Sequence, residues 1–237
     1  MLLMYRKLFL TNLILLLLSC FPFCQAPRKN FDPDSLSENY FTGLKKEYGH
    51  GKQYPKQFEK QILVALSYYP ELRNTPILFR IRVRHTPATT RATWAGVFET
   101  ARKRHFVITI SDSTERILMA IILKHMPFNA QVGLIGHELA HVSDFSRMVS
   151  HQIIWHAIKN VSAKYIDKFE YNTDGICIAH GLGYQLLAWS SFIRRKMNRE
   201  NWDGPDYSPK PMSKERYMNP STIEKRIAAD PIYKEAY

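Results

Sequence analysis

Gly136-His137-Glu138-Leu139-Ala140-His141 is the stretch on which the reading of this chain turns. It sits inside a helical pattern from Ala130 to Met148, in which Leu134, Ile135, Leu139, Val142 and Phe145 recur at helical spacing. Residues four apart lie on one face of a helix, so His137 and His141 can present two imidazoles to one metal ion. Imidazole nitrogen suits Zn²⁺. Glu138, between them, can take a proton from a water activated by such an ion and pass it on. In 237 residues with 9 His, this spacing arises by chance in roughly two chains of a hundred, so it carries information.

A catalytic zinc site needs a third protein ligand. The extended motif with a Gly and a third His is absent, because Asp144 and Arg147 follow His141 instead. The best candidates lie downstream, in Phe169-Glu170-Tyr171-Asn172-Thr173-Asp174-Gly175. Glu170 and Asp174 are four apart on an expected helix. One carboxylate can bind the metal while the other accepts the free N–H of a ligand histidine and fixes its orientation. His151, His156 and His180 compete for the third position.

His-Glu-Leu-Ala-His followed by Glu-Tyr-Asn-Thr-Asp resembles the gluzincin metallopeptidases. It is most similar to soluble exported members of the CAAX prenyl endopeptidase and heat-shock membrane peptidase family. Asn219-Pro220-Ser221-Thr222-Ile223-Glu224-Lys225-Arg226-Ile227 stands where that family carries His-Pro and a following Glu-Arg-Ile. The three motifs occur in the family's order and span residues 136–229. The resemblance implies a zincin-like fold and endopeptidase activity on a peptide or protein. It implies zinc held by His137, His141 and Glu170, with Asp174 behind a ligand and Glu138 as general base. Asn219 replaces the family's His, so the group that steadies the oxyanion is open among Asn219, Tyr171, His180 and Arg226. Two rival readings stand beside this one. One is a SprT-like protease with a third histidine; the other is a non-catalytic envelope-binding or chaperone-like lipoprotein on a zincin scaffold.

Outward from these motifs, the order of elements reads as α+β. Pro55 to Tyr69 has helical spacing. Ile77 to His85 alternates Phe79, Ile81 and Val83 with Arg80, Arg82 and Arg84, the pattern of a half-buried strand. Thr93 to Thr100 and His105 to Ser111 flank the basic Ala101-Arg102-Lys103-Arg104 and read as a hairpin. Its edge is the expected docking place for a substrate strand. Ile117 to Met126 reads as a short helix, 151–180 and 184–196 as helices parted at Gly181-Leu182-Gly183, and Pro220 to Ala229 as a last helix. The expected fold is thus zincin-like, a small antiparallel sheet followed by a helical zinc-binding region across 54–237. Residues 27–53 read as a linker or irregular lead-in.

Residues 1–26 read as an export signal. Arg6 and Lys7 precede an apolar run from Leu8 to Leu18, shorter than a membrane span and closed by Pro22. Leu17-Leu18-Ser19-Cys20 resembles a lipobox, which would acylate Cys20 and anchor the chain to the envelope. A plain cut near Cys24 or Ala26, giving a periplasmic or secreted protein, is the alternative, and so is an uncleaved anchor. No uninterrupted apolar run of spanning length follows. With 3 Cys, of which only Cys177 lies beyond residue 26, no disulfide framework is expected. The net charge of +12 favours an anionic partner such as an envelope surface, and export argues against nucleic acid. Aromatic residues at 13% and only 10 Gly exclude a disordered or collagen-like chain.

Overall fold

The computed structural model describes residues 25–234 apart from 94, 95, 98, 101, 102, 115, 117 and 199–214. Residues 1–24 of the expected signal, with Cys20 and Cys24, and most of the 200–220 loop lie outside the described residues.

The expected irregular lead-in at 27–53 is instead largely ordered structure. Phe31 is buried, and its backbone N–H donates to Asn129 Oδ1 at 2.9 Å. Helix α1, Glu38–Tyr48, follows. Ser37 Oγ accepts from the Tyr40 N–H, Glu38 stands in the first turn, and Lys45 and Lys46 stand in the last, all favourable against the helix dipole. Phe41, Leu44 and Tyr48 form its buried stripe. Polar neighbours masked that three-residue stripe in the sequence. Strand β1, Lys52–Gln53, and a 3₁₀ turn, Lys56–Phe58, lead into α2, Glu59–Leu66.

Three more strands complete the sheet: β2, Ile77–Arg82, β3, Ala88–Ala92, and β4, Phe106–Ser111. Their order is β1-β2-β4-β3. β1 runs parallel to β2 and β2 parallel to β4, while β3 is antiparallel to β4. The sheet is therefore mixed, which corrects the expected antiparallel one. The expected hairpin is also corrected: the antiparallel partner of β4 is 88–92. Burial decides this arrangement. β4 is buried at every position and takes an interior place, whereas the polar Ala-Thr-Thr-Arg-Ala of β3 takes an edge. Arg104 does not sit in an exposed basic turn. It is 1% exposed and donates to the carbonyls of Gly96, Phe145 and Met148, tying the loop after β3 to the end of the central helix.

Helix α3, Phe128–Arg147, is that central helix, and most of its length is buried. The helix expected at 117–126 is replaced by two 3₁₀ turns, Met119–Ile121 and Leu123–His125, separated by Ile122 in extended conformation. Helix α4, Ser150–Lys159, and α5, Ala163–Cys177, follow. α5 continues through a π turn, Ile178–Leu182, into α6, Gly183–Lys196. The expected break is real but is a kink, with Gly181 at φ 89° and the Tyr68 ring 3.1 Å from where its Cβ would be. The joined helix Ala163–Lys196 is long and apolar enough to cross a membrane, yet most of its apolar window is buried inside the protein. Helix α7, Pro220–Ala229, matches the sequence reading, with Pro220 at its first turn.

Candidate metal centre

Two facing helices build the site. α3 supplies His137 and His141 one turn apart, and α5 supplies Glu170, Thr173 and Asp174. Glu170 Oε2 lies 3.1 Å from His137 Nε2 and 3.3 Å from His141 Nε2. Within this trio the ligand atoms are all within 4.8 Å of one another, so His137, His141 and Glu170 could hold a metal ion. Two imidazole nitrogens and one carboxylate oxygen form a donor set that fits Zn²⁺.

The outer nitrogens are held as a metal site requires. Asp174 Oδ1 lies 2.8 Å from His137 Nδ1, and Asp174 Oδ2 accepts the Met218 N–H at 2.7 Å. Thr173 Oγ1 donates to the Phe169 carbonyl at 3.0 Å, which leaves its lone pair to accept from His141 Nδ1 at 3.2 Å. Both rings thus keep the proton on Nδ1 and turn Nε2 toward Glu170. The His141 ring also stacks on Phe169, with centroids 4.9 Å apart.

Electrostatics reinforce the geometry. Burial alone would push His137 down, but its hydrogen bonds to Asp174 and Glu170, and their charges, outweigh that and lift it to about 10. Burial opposes ionisation of Glu170, yet the His141 charge and the bonds to both rings hold its carboxyl well below the usual range. Without a metal, the cluster therefore retains a proton in the place where a cation would sit.

Glu138 is 5% exposed, and its Oε2 accepts from Thr90 Oγ1 at 2.6 Å. Thr90 belongs to β3, so the edge strand positions this carboxylate. On the other side, the segment 215–219 is strapped down. Arg216 Nε donates to Asp167 Oδ1 at 2.5 Å, and Ser190 Oγ donates to the Met218 carbonyl at 2.9 Å. These bonds place the Tyr217 ring 5.7 Å from the His137 ring. Burial, with the Glu170, Glu138 and Asp174 charges, pushes the Tyr217 phenol well above its usual value, so it stays a hydrogen-bond donor.

The remaining sequence candidates lie elsewhere. His151 is exposed on α4. His156 Nδ1 is 2.9 Å from Tyr165 Oη, and burial, with the His141 charge, lowers its basicity. His180 stacks on Tyr69 and lies 3.0 Å from Glu71 Oε1. Asn219 Oδ1 accepts from Arg194 Nη2 at 2.9 Å. Arg226 lies over the Tyr171 ring at 5.8 Å. Thr90, Thr173 and Tyr217 were missed as site residues. Thr173 sits inside the quoted Glu-to-Asp stretch, three residues after Glu170 and so on the same face of α5. Thr90 and Tyr217 reach the site only through tertiary structure. No family model, curated protein sequence or solved structure gives a significant match to this chain.

Proposed function

We propose that this chain is a zinc-dependent endopeptidase of zincin type, with His137, His141 and Glu170 as ligands and Glu138 as general base. The observation that carries the proposal is the convergence of the three donors beside a buried carboxylate aimed by Thr90. When bound, zinc would supply a Lewis acid that polarises a carbonyl and acidifies a water. Glu138 is the residue that would accept a proton from the attacking water and deliver it to the leaving amine. Thr90 holds the carboxylate in register during both transfers. Tyr217, whose ring lies 5.7 Å from that of His137, joins Asn219 as a candidate donor to the developing oxyanion. Asp174 and Thr173 keep the imidazoles oriented.

The substrate belongs at β3. It is an edge strand packed next to α3, and among the described residues it pairs only with β4. An extended peptide added there would gain main-chain hydrogen bonds and pass beside Glu138. β4 is paired on both sides, and none of the described residues of the expected docking strand at 93–100 lies in a strand. Export, with Cys20 as a lipid anchor or a cleaved signal, remains part of the proposal and rests on residues 1–26 alone. The rival with a third histidine draws no support from His156, which faces Tyr165.

Glu138→Gln tests the assignment. The variant should bind zinc with unchanged stoichiometry by elemental analysis and lose hydrolysis of an unstructured protein substrate by at least about a hundredfold. Retained hydrolysis would remove Glu138 from its role. Zinc uptake without turnover in the unaltered chain would shift the reading to a binding protein.

A further inference from the structure

Helix α4 has apolar residues on the wrong side. Its inner face is accounted for by buried Ile153 and His156. A helix on the surface of a water-soluble domain then carries polar residues outward. Here Ile154, Trp155 and Ile158 point outward with 44%, 56% and 56% exposure, and Val161 in the following turn is 91% exposed. Val149, just before the helix, is 50% exposed. A run of this kind at one helix and its turn marks an interaction surface rather than scattered exposed residues.

Charge identifies the occupant. No Asp or Glu stands between Asp144 and Asp167, whereas Arg147, Lys159 and Lys164 do. Lys159 lies over the Trp155 ring at 5.4 Å and near the Tyr165 ring at 5.6 Å, so its ammonium borders the apolar patch. An exposed Trp, aliphatic neighbours and flanking lysines without acids are the chemistry of a helix lying in a lipid interface. The net charge of +12 adds attraction to anionic headgroups. We propose that α4 and the turn 160–162 dock on an anionic bilayer surface, with Trp155, Ile158 and Val161 entering the interface and Lys159 and Lys164 meeting headgroups. This is peripheral docking, independent of any tether at residues 1–26 and of the peptidase reading. It has a consequence for that reading all the same. Lys159 lies near the Tyr165 ring, Tyr165 stacks on Phe169 and Phe169 on His141, so a row of aromatic rings runs from the edge of the patch to the candidate metal centre.

The test uses the full chain with Cys20→Ser, Cys24→Ser and Val161→Cys, labelled at 161 with an environment-sensitive fluorophore. Cys177 is buried and stays unlabelled. On phosphatidylcholine vesicles containing phosphatidylglycerol, the emission should shift to the blue and be quenched by spin-labelled lipid. Pure phosphatidylcholine should give a much smaller shift. Lys159→Gln with Lys164→Gln should require roughly thirtyfold more anionic lipid for the half-maximal shift. A chain tethered only through its N-terminal segment leaves the 161 label in water, and this unshifted emission on both vesicles would overturn the proposal. So would emission already blue without lipid, which would mean that another segment or a second copy covers the patch.

Discussion

At the scale of single residues, Asp174 joins two parts of the molecule at one carboxylate. One oxygen meets His137 and the other the Met218 N–H. An amide in its place can accept only one of these bonds and turns an N–H toward the other donor. Asp174→Asn should therefore weaken zinc binding about 10–100-fold while the chain stays folded, read by competition with a chelating dye. Unchanged affinity would mean that the carboxylate does not orient the ligand. The proton held at His137 sets the pH dependence. With that group lifted to about 10, the metal-free site is protonated at pH 7, and an ion must displace the proton. Titration calorimetry in buffers of different ionisation enthalpy should show about one proton released per zinc at pH 7, fading as the pH nears 10. Apparent affinity should rise about tenfold per pH unit across that window. The pairing of His137 with His141 was legible because helical spacing brings residues four apart to one face, whereas spacing left Glu170 and Asp174 both open as the third ligand and only the family resemblance chose Glu170. Tyr217 was not legible, since its place beside His137 depends on side chains of two other helices, α5 and α6.

At the scale of elements, α3 lies so close to α6 that there is no room for a side chain. A Cβ on Gly133 would fall 2.1 Å from the Gln185 carbonyl oxygen, which is backbone and cannot turn away. At Gly136 the nearest obstacle is Leu182 Cδ1 at 2.6 Å, the end of a flexible side chain. Gly133→Ala should thus destabilise by about 3 kcal/mol, and Gly136→Ala by clearly less, in urea unfolding followed by circular dichroism. Equal midpoints for the two variants would contradict this helix contact. Gly133 stands one turn before His137, so the first variant should also lower zinc affinity. Periodicity exposed α7 because it buries a regular stripe, and β2 up to Arg82, beyond which Val83 is 73% exposed instead of facing inward. α3 was found by the length of its helical pattern although most of it is buried. Periodicity failed for β3, whose polar sequence makes sense only beside β4, and for 117–126, where buried Ile121, Ile122 and Leu123 satisfy no helical face. The basic Arg104 read as a turn because its four carbonyl partners are remote in sequence or locally folded.

For the molecule as a whole, the candidate metal centre lies between α3 and α5, two helices separated by the α4 excursion, and a bound ion would clamp them together. The last described residues are fastened to the π turn that follows α5. Tyr233 Oη donates to the Ile178 carbonyl at 2.7 Å and accepts the Gly183 N–H at 2.7 Å, pinning the C-terminal segment to the π turn. An ion that binds only the folded chain must stabilise all of this at once. Zinc at a hundred times its dissociation constant should add about 2.7 kcal/mol. For a domain of this size, that corresponds to a rise of roughly 5–10 °C in melting temperature. The rise should survive in Glu138→Gln, where the ligands are intact, and largely vanish in Glu170→Gln, where the contribution of α5 is cut. The comparison separates the clamp from the chemistry, because neither variant is expected to hydrolyse peptide. An equal rise in both would mean that the ion is held by α3 alone, and the third ligand would have to be sought outside α5.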